Sequence, residues 1–140
     1  MQAMATWRKG HEFLLQDGRA HSVVIDRPPE DGGASAGTTP EELSLLALAG
    51  SLASTFVSVA RKRKLSFSGL TLAVESDHAP PPSPPGGFHG ILHLRTHADP
   101  IEANEALRAA LEACPVARVF REARIPLRIE LALPPSASPA

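Results

Sequence analysis

The stretch LSLLALAGSLASTFVSVARKRK, residues 43–64, constrains this chain more than any other. It runs eighteen residues without a charge and then meets four bases. An apolar run of that length is a helix that has to be covered, by lipid or by protein packed against every side. Length and a positive flank satisfy the crude tests for a membrane span. Four serines, a threonine and a glycine dilute the run, however, and its neighbours read as strands of a soluble domain. A helix buried on all sides in a soluble core is therefore the preferred reading, with no membrane partner. Its middle is unusually small: Ala47, Ala49, Gly50, Ser51, Ala53, Ser54 and Thr55 crowd together. Residues of that size leave room for another element to come close.

The chain has 140 residues, enough for one domain, expected over residues 1–133 with a frayed tail at 134–140. A net charge of −1 gives no electrostatic reason to expect nucleic acid as a partner. Only Trp7, Phe13, Phe56, Phe67, Phe88 and Phe120 are aromatic, so the core must come from Leu, Val, Ile and Ala. A single cysteine, Cys114, excludes an intrachain disulfide and a cysteine-rich zinc site. That fits a cytoplasmic protein, as does an N-terminus without the apolar segment of a signal peptide. No metal or cofactor is expected.

Residues 5–15 and 21–26 read as two strands joined at QDGR, where Asp17-Gly18 favours a hairpin. A Gly/Pro-rich loop, RPPEDGGASAGTTP, follows. The long helix then starts on a capping box: Thr39 caps, Pro40 suits the first turn, and Glu42 stands three residues after the cap. Arg61, Lys62, Arg63 and Lys64 complement the negative end of its dipole. GLTLAVES alternates as a strand with Leu70, Leu72 and Val74 inward. DHAPPPSPPGG breaks regular structure and reads as a loop between hairpin strands, with an SH3-type proline ligand as the rival reading. FHGILHLRTH is the next strand. A second helix starts at Asp99-Pro100 and stops near Cys114, because a residue before proline is pushed out of the helical region. PVARVFREAR is a third, short helix, and PLRIELAL a closing strand. Strands, helix, strands, helices, strand: the class is α+β.

His89, His93 and His97 invite a metal hypothesis, but strand residues four apart are about 13 Å apart. One ion cannot span that, so the three are expected to face solvent. GGASAG before a helix lacks the lysine of a phosphate-binding loop and the spacing of a dinucleotide fingerprint. Cys114 is more informative. With Pro115 opening a helix, Cys114 is its N-cap, where free amides and the dipole stabilise a thiolate. Arg118 and Arg121 can add to that effect. A small buried apolar cysteine is the plainer alternative.

Together, DRPPEDGGASAGTTPEELSLLALAGS and ALRAALEACPVARVF resemble the OsmC/Ohr family of hydroperoxide-reducing proteins, in its OsmC-like branch. The resemblance runs from HSVVID to the final strand. It implies an interwoven α+β homodimer, whose long central helices pack together inside antiparallel sheets from both chains. The small residues of the long helix would then admit another helix, from the same or the partner chain.

The resemblance also implies a chemistry. In the family, a cysteine on the central helix attacks peroxide as thiolate and becomes a sulfenic acid. A second cysteine, in CPV, condenses with it to a disulfide that a dithiol reduces. Cys114 matches the second position; the first is occupied by Ser51. A serine hydroxyl is hardly ionised near neutral pH and has no accessible sulfenic state. Glu41 matches the family's active-site glutamate, although ten residues of unbroken helix place it about 15 Å from Ser51. For the family's arginine, Arg8 is the best match, with Arg19 and Arg27 as rivals. The expected function is an OsmC-like protein lacking the two-cysteine cycle and binding a small apolar or oxidised ligand at the dimer interface. The alternative is a one-cysteine hydroperoxide reductase, using Cys114 with an external thiol.

Overall fold

The computed structural model describes residues 1–77 and 86–135. Its described residues include six strands and three α-helices, an α+β arrangement. The proline-rich PPPSPP segment and residues 136–140 of the expected tail lie outside the described residues. The chain divides into two compact units, Met1–Leu46 and Ala47–Ala140.

The first unit holds β1 (Ala3–Lys9), β2 (Glu12–Asp17) and β3 (Ser22–Ile25) in one antiparallel sheet of that order. The strand expected over residues 5–15 is in fact a hairpin. Gly10 adopts φ 49°, and the Trp7 indole N–H donates to the Gly10 carbonyl at 3.0 Å, closing the turn. The second hairpin turns where QDGR predicts. There the Asp17 carboxylate accepts from the Arg19 and His21 backbone N–H groups at 2.8 and 3.0 Å. The loop after β3 is ordered by a buried acid. Asp26 accepts from the N–H groups of Arg27, Ala34 and Ala36 at 2.8–3.1 Å.

Helix α1 runs unbroken from Pro40 to Lys62. Its capping box forms as read: the Thr39 hydroxyl accepts from the Glu42 N–H at 3.1 Å, and Glu42 accepts from the Thr39 N–H at 2.8 Å. By length and composition α1 could cross a membrane. Burial on all sides does not hold within one chain. Leu48, Leu52, Phe56 and Ala60, spaced by four, are buried, whereas Ala47, Gly50, Ser54 and Ser58 are exposed. A Cβ placed on Gly50 would meet no atom within 4 Å. Among the described residues, then, the side of α1 that carries Gly50 is left open, whereas Ala49, Ser51, Ala53 and Thr55 are half-buried.

In the second unit, β4 (Gly69–Ser76) and β5 (Phe88–Arg95) form an antiparallel hairpin, with Leu70, Leu72 and Val74 on the half-buried side. Helices α2 (Pro100–Ala113) and α3 (Pro115–Glu122) carry the chain back to β6 (Leu127–Ala132). That return makes β6 parallel to β5 and the sheet mixed, in the order β4-β5-β6. Close backbone approach in this sheet demands glycine at position 90, where a Cβ would run into the Ala73 carbonyl. The core joins the buried stripe of α1 to Phe88, Leu92 and Leu94 of β5 and to Ala103, Ala106, Leu107 and Ala110 of α2. Small alanines on α2 offset the scarcity of aromatic side chains. The aromatic groups that do contribute meet edge to face, Phe56 with Phe67 and Phe88 with Phe120.

Candidate functional site around Ser51 and Cys114

Cys114 closes α2 and opens α3. Its extended backbone, φ −70° and ψ 117°, is what Pro115 imposes on its predecessor. The sulfur therefore turns back over the first turn of α3 and accepts from the Ala117 N–H at 3.5 Å. This is the N-cap role read from the sequence. The residue is fully buried, with 0% of its surface exposed.

Ser51 stands at mid-helix on α1, between the buried Leu48 and Leu52, and is itself half-buried. Its hydroxyl lies 3.3 Å from the Cys114 sulfur, within hydrogen-bonding range for an O–S pair. On the same helix turn the Thr55 hydroxyl donates to the Ser51 backbone carbonyl at 2.8 Å, leaving the Ser51 hydroxyl to face the sulfur. Such a pair can share one proton in a hydrogen bond. It cannot form a disulfide, because only one member is sulfur.

The other expected site residues are placed differently. Arg118 and Arg121 do not serve the thiol: Arg118 pairs with Glu122 at 2.9 Å and Arg121 with Glu112 at 3.0 Å. Both carboxylates are offered by the flanking helical turns, and ion pairing there satisfies the guanidinium groups. Glu41 lies in the first turn of α1, exposed, with ten residues of continuous helix before Ser51. At about 1.5 Å per residue, the helix does not bring it to the hydroxyl. Arg8, in the first unit, approaches Glu12 at 3.4 Å, and Arg19 approaches Asp17 at 3.6 Å. Arg27 is exposed. His89 lies between Glu75 and Asp77 at 3.4 and 3.5 Å, and His93 and His97 are exposed.

Sequence reading missed Asp26. Its three backbone donors hold its carboxyl below the ordinary value, Ala36 first and Ala34 next. The amides of the GGASAG loop, weighed above as a phosphate cradle, thus already face an anion of this chain. Gly33 and Gly37 are needed because a Cβ would run into the carbonyls of Arg27 and Val24. A polar residue ending a strand just before a Gly-rich loop was the available signal.

A family model described as OsmC-like protein matches residues 31–130 of this chain. The chain belongs to the OsmC-like family. No curated protein matches it. Among solved structures it resembles an OsmC-like protein from Mycoplasma pneumoniae, with a TM-score of 0.84, 14% identity and coverage of 94% of this chain and 95% of that one. It also resembles an organic hydroperoxide resistance protein OsmC from Legionella pneumophila, with a TM-score of 0.75, 21% identity and coverage of 94% and 97%. A third is a Vibrio cholerae protein described as an organic hydroperoxide resistance protein, with captopril bound in one of its active sites. There the TM-score is 0.71, with 21% identity and coverage of 94% and 91%. At these identities the likeness to solved structures establishes the fold of this OsmC-like chain and leaves its chemistry to the residues of its own site.

Proposed function

We propose that this OsmC-like chain, one domain over residues 1–133, works as a cytoplasmic homodimer that lacks the two-cysteine peroxidase cycle. It keeps a small-ligand pocket at the dimer interface, beside Ser51 and Cys114. The observation that carries this reading is the 3.3 Å approach of the Ser51 hydroxyl to the Cys114 sulfur. By the resemblance, these two positions belong to the reacting thiols of the family, and here one is a hydroxyl.

Hydroperoxide reduction by a thiol pair consumes two sulfurs. A thiolate attacks the O–O bond, the alcohol leaves, and the sulfur becomes a sulfenic acid. A second thiol then displaces water from that acid to form the disulfide, which a dithiol reduces. Ser51 supports neither half of that cycle. The dimer is supported by the uncovered small face of α1 and by the exposed strand β1, with Met4 and Trp7 on its surface. That an active site of the Vibrio protein accommodates captopril supports a small organic ligand at the matching place. Glu41, held away from Ser51 by its own helix, would reach the pocket from the partner's side, and Arg8 is the first candidate for the pocket's arginine.

A one-cysteine cycle through Cys114 with an external thiol is the second reading. Its helix N-cap position favours it, and its full burial within the chain weighs against it.

The test is consumption of an organic hydroperoxide by the purified protein with excess dithiol, beside Ser51→Cys and Cys114→Ser. The expected result is an inert wild type and turnover in Ser51→Cys. Turnover by the wild type that Cys114→Ser abolishes would overturn the proposal in favour of the one-cysteine cycle.

A further inference from the structure

A groove of about 850 Å³ opens at one end of the β4-β5-β6 sheet, and its lining includes neither Ser51 nor Cys114. That volume falls in the range of small-molecule sites, about 300–1,000 Å³. We propose that it binds a small amphipathic monocarboxylate, anchored by Arg95 with its hydrocarbon body against Phe67, Pro100 and Leu133.

The walls are pinned rather than loose. The Ser68 N–H donates to the Arg95 carbonyl at 2.8 Å, and the Thr96 hydroxyl donates to the Ser66 carbonyl at 2.6 Å. Thr96 also accepts from the Ala98 N–H at 3.0 Å, so its one hydroxyl proton and one of its lone pairs are used inside the rim. Phe67 is held edge-on by Phe56, with ring centroids 6.1 Å apart. These contacts fix an apolar surface beside the end of β5.

Charge selects the ligand. Among the described residues no carboxylate lines the groove. The nearest acid in sequence, Asp99, is turned to cap α2, accepting from the Ile101 N–H at 2.7 Å. Arg95 has no ion-pair partner among the described residues, while His97 adds a second nitrogen-bearing side chain to the same lining. A planar guanidinium presents two parallel donors that match one carboxylate. Proline, leucine and phenylalanine offer the remainder of a ligand only apolar contact. An anion at one end and a short hydrocarbon body is the complementary chemistry.

The experiment is calorimetric titration of the full-length protein with octanoate, beside octylammonium as the opposite charge on the same body. One octanoate per chain is expected, with no binding of octylammonium. Arg95→Gln is expected to weaken binding by at least about tenfold, the scale of a lost charge-assisted contact. Arg95→Lys, which keeps the charge without the fork, should fall between. Arg128→Gln removes an exposed β6 arginine outside the groove and should leave binding unchanged. The proposal is overturned if octanoate does not bind, as when a second copy covers the groove, or if Arg95→Gln binds as the wild type does. Loss of binding in Ser51→Leu but not in Arg95→Gln would also overturn it, placing the ligand beside the helix instead.

Discussion

The Ser51 hydroxyl and the Cys114 sulfur approach to 3.3 Å across 63 residues of chain. One comes from the middle of a helix and the other from the junction of two helices, so neither can shift alone. Substituting sulfur for the hydroxyl should place two thiols within reach of one disulfide. Ser51→Cys is expected to lose both free thiols on mild oxidation, read by thiol titration of the unfolded protein. The wild type should retain its one thiol, and label it only slowly while folded, because Cys114 is fully buried. Fast labelling of the folded wild type would mean that the sulfur opens to solvent.

Gly50 gives a clean test of the dimer. A Cβ there meets no atom within 4 Å among the described residues, so Gly50→Leu is expected to fit within the monomer. Removing a helical glycine adds about 0.5–1 kcal/mol of helix propensity. Sedimentation should nevertheless show weakened self-association. A tight Gly50→Leu dimer would show that another face of the chain makes the interface.

Asp26 is expected to control the order of residues 27–37. Asp26→Ala leaves the Ala34 and Ala36 N–H groups without their acceptor. Hydrogen exchange at those amides should speed up and Tm should fall, with Asp26→Asn in between because one oxygen still accepts. Unchanged exchange in Asp26→Ala would show that Gly33 and Gly37 fold the loop unaided.

Acid should weaken the first unit through Asp17. The His21 side chain, the His21 N–H and the Arg19 N–H lower its pKa from 3.8 to about 2. A depressed carboxyl contributes stability that is whole above pH 3.8 and is lost as pH falls toward 2. The contribution is small because the pair is exposed to solvent. Asp17→Asn should flatten the acid limb of a urea-midpoint profile between those values, and an unaltered limb would assign the acid sensitivity elsewhere.

Local signals made most of the fold legible. The Thr39–Glu42 box, the Asp99 cap and the Cys114-Pro115 junction each involve residues within three or four positions, so the bonds that end a helix are written beside it. Alternation did the same for β4, whose inward leucines emerge on the half-buried face. The turn at Gly10 was missed because the sequence on either side is continuously strand-like, and only the backbone reversal separates β1 from β2. The Asp26 clamp was missed for another reason: its partners are eight and ten residues away, beyond any helical or strand period.

By itself, then, the sequence determined where the helices begin and end, the α+β class, and that a serine stands where the resemblance implies a reacting cysteine. Periodicity and capping act over a few residues, so they can be read in order along the chain. Only the tertiary structure decided that β6 runs parallel to β5, that the Gly50 side of α1 is left open among the described residues, and that Ser51 and Cys114, brought together by the resemblance alone, stand 3.3 Å apart. Those are relations between segments, set by which surfaces bury against each other, and a linear pattern carries no distance between them.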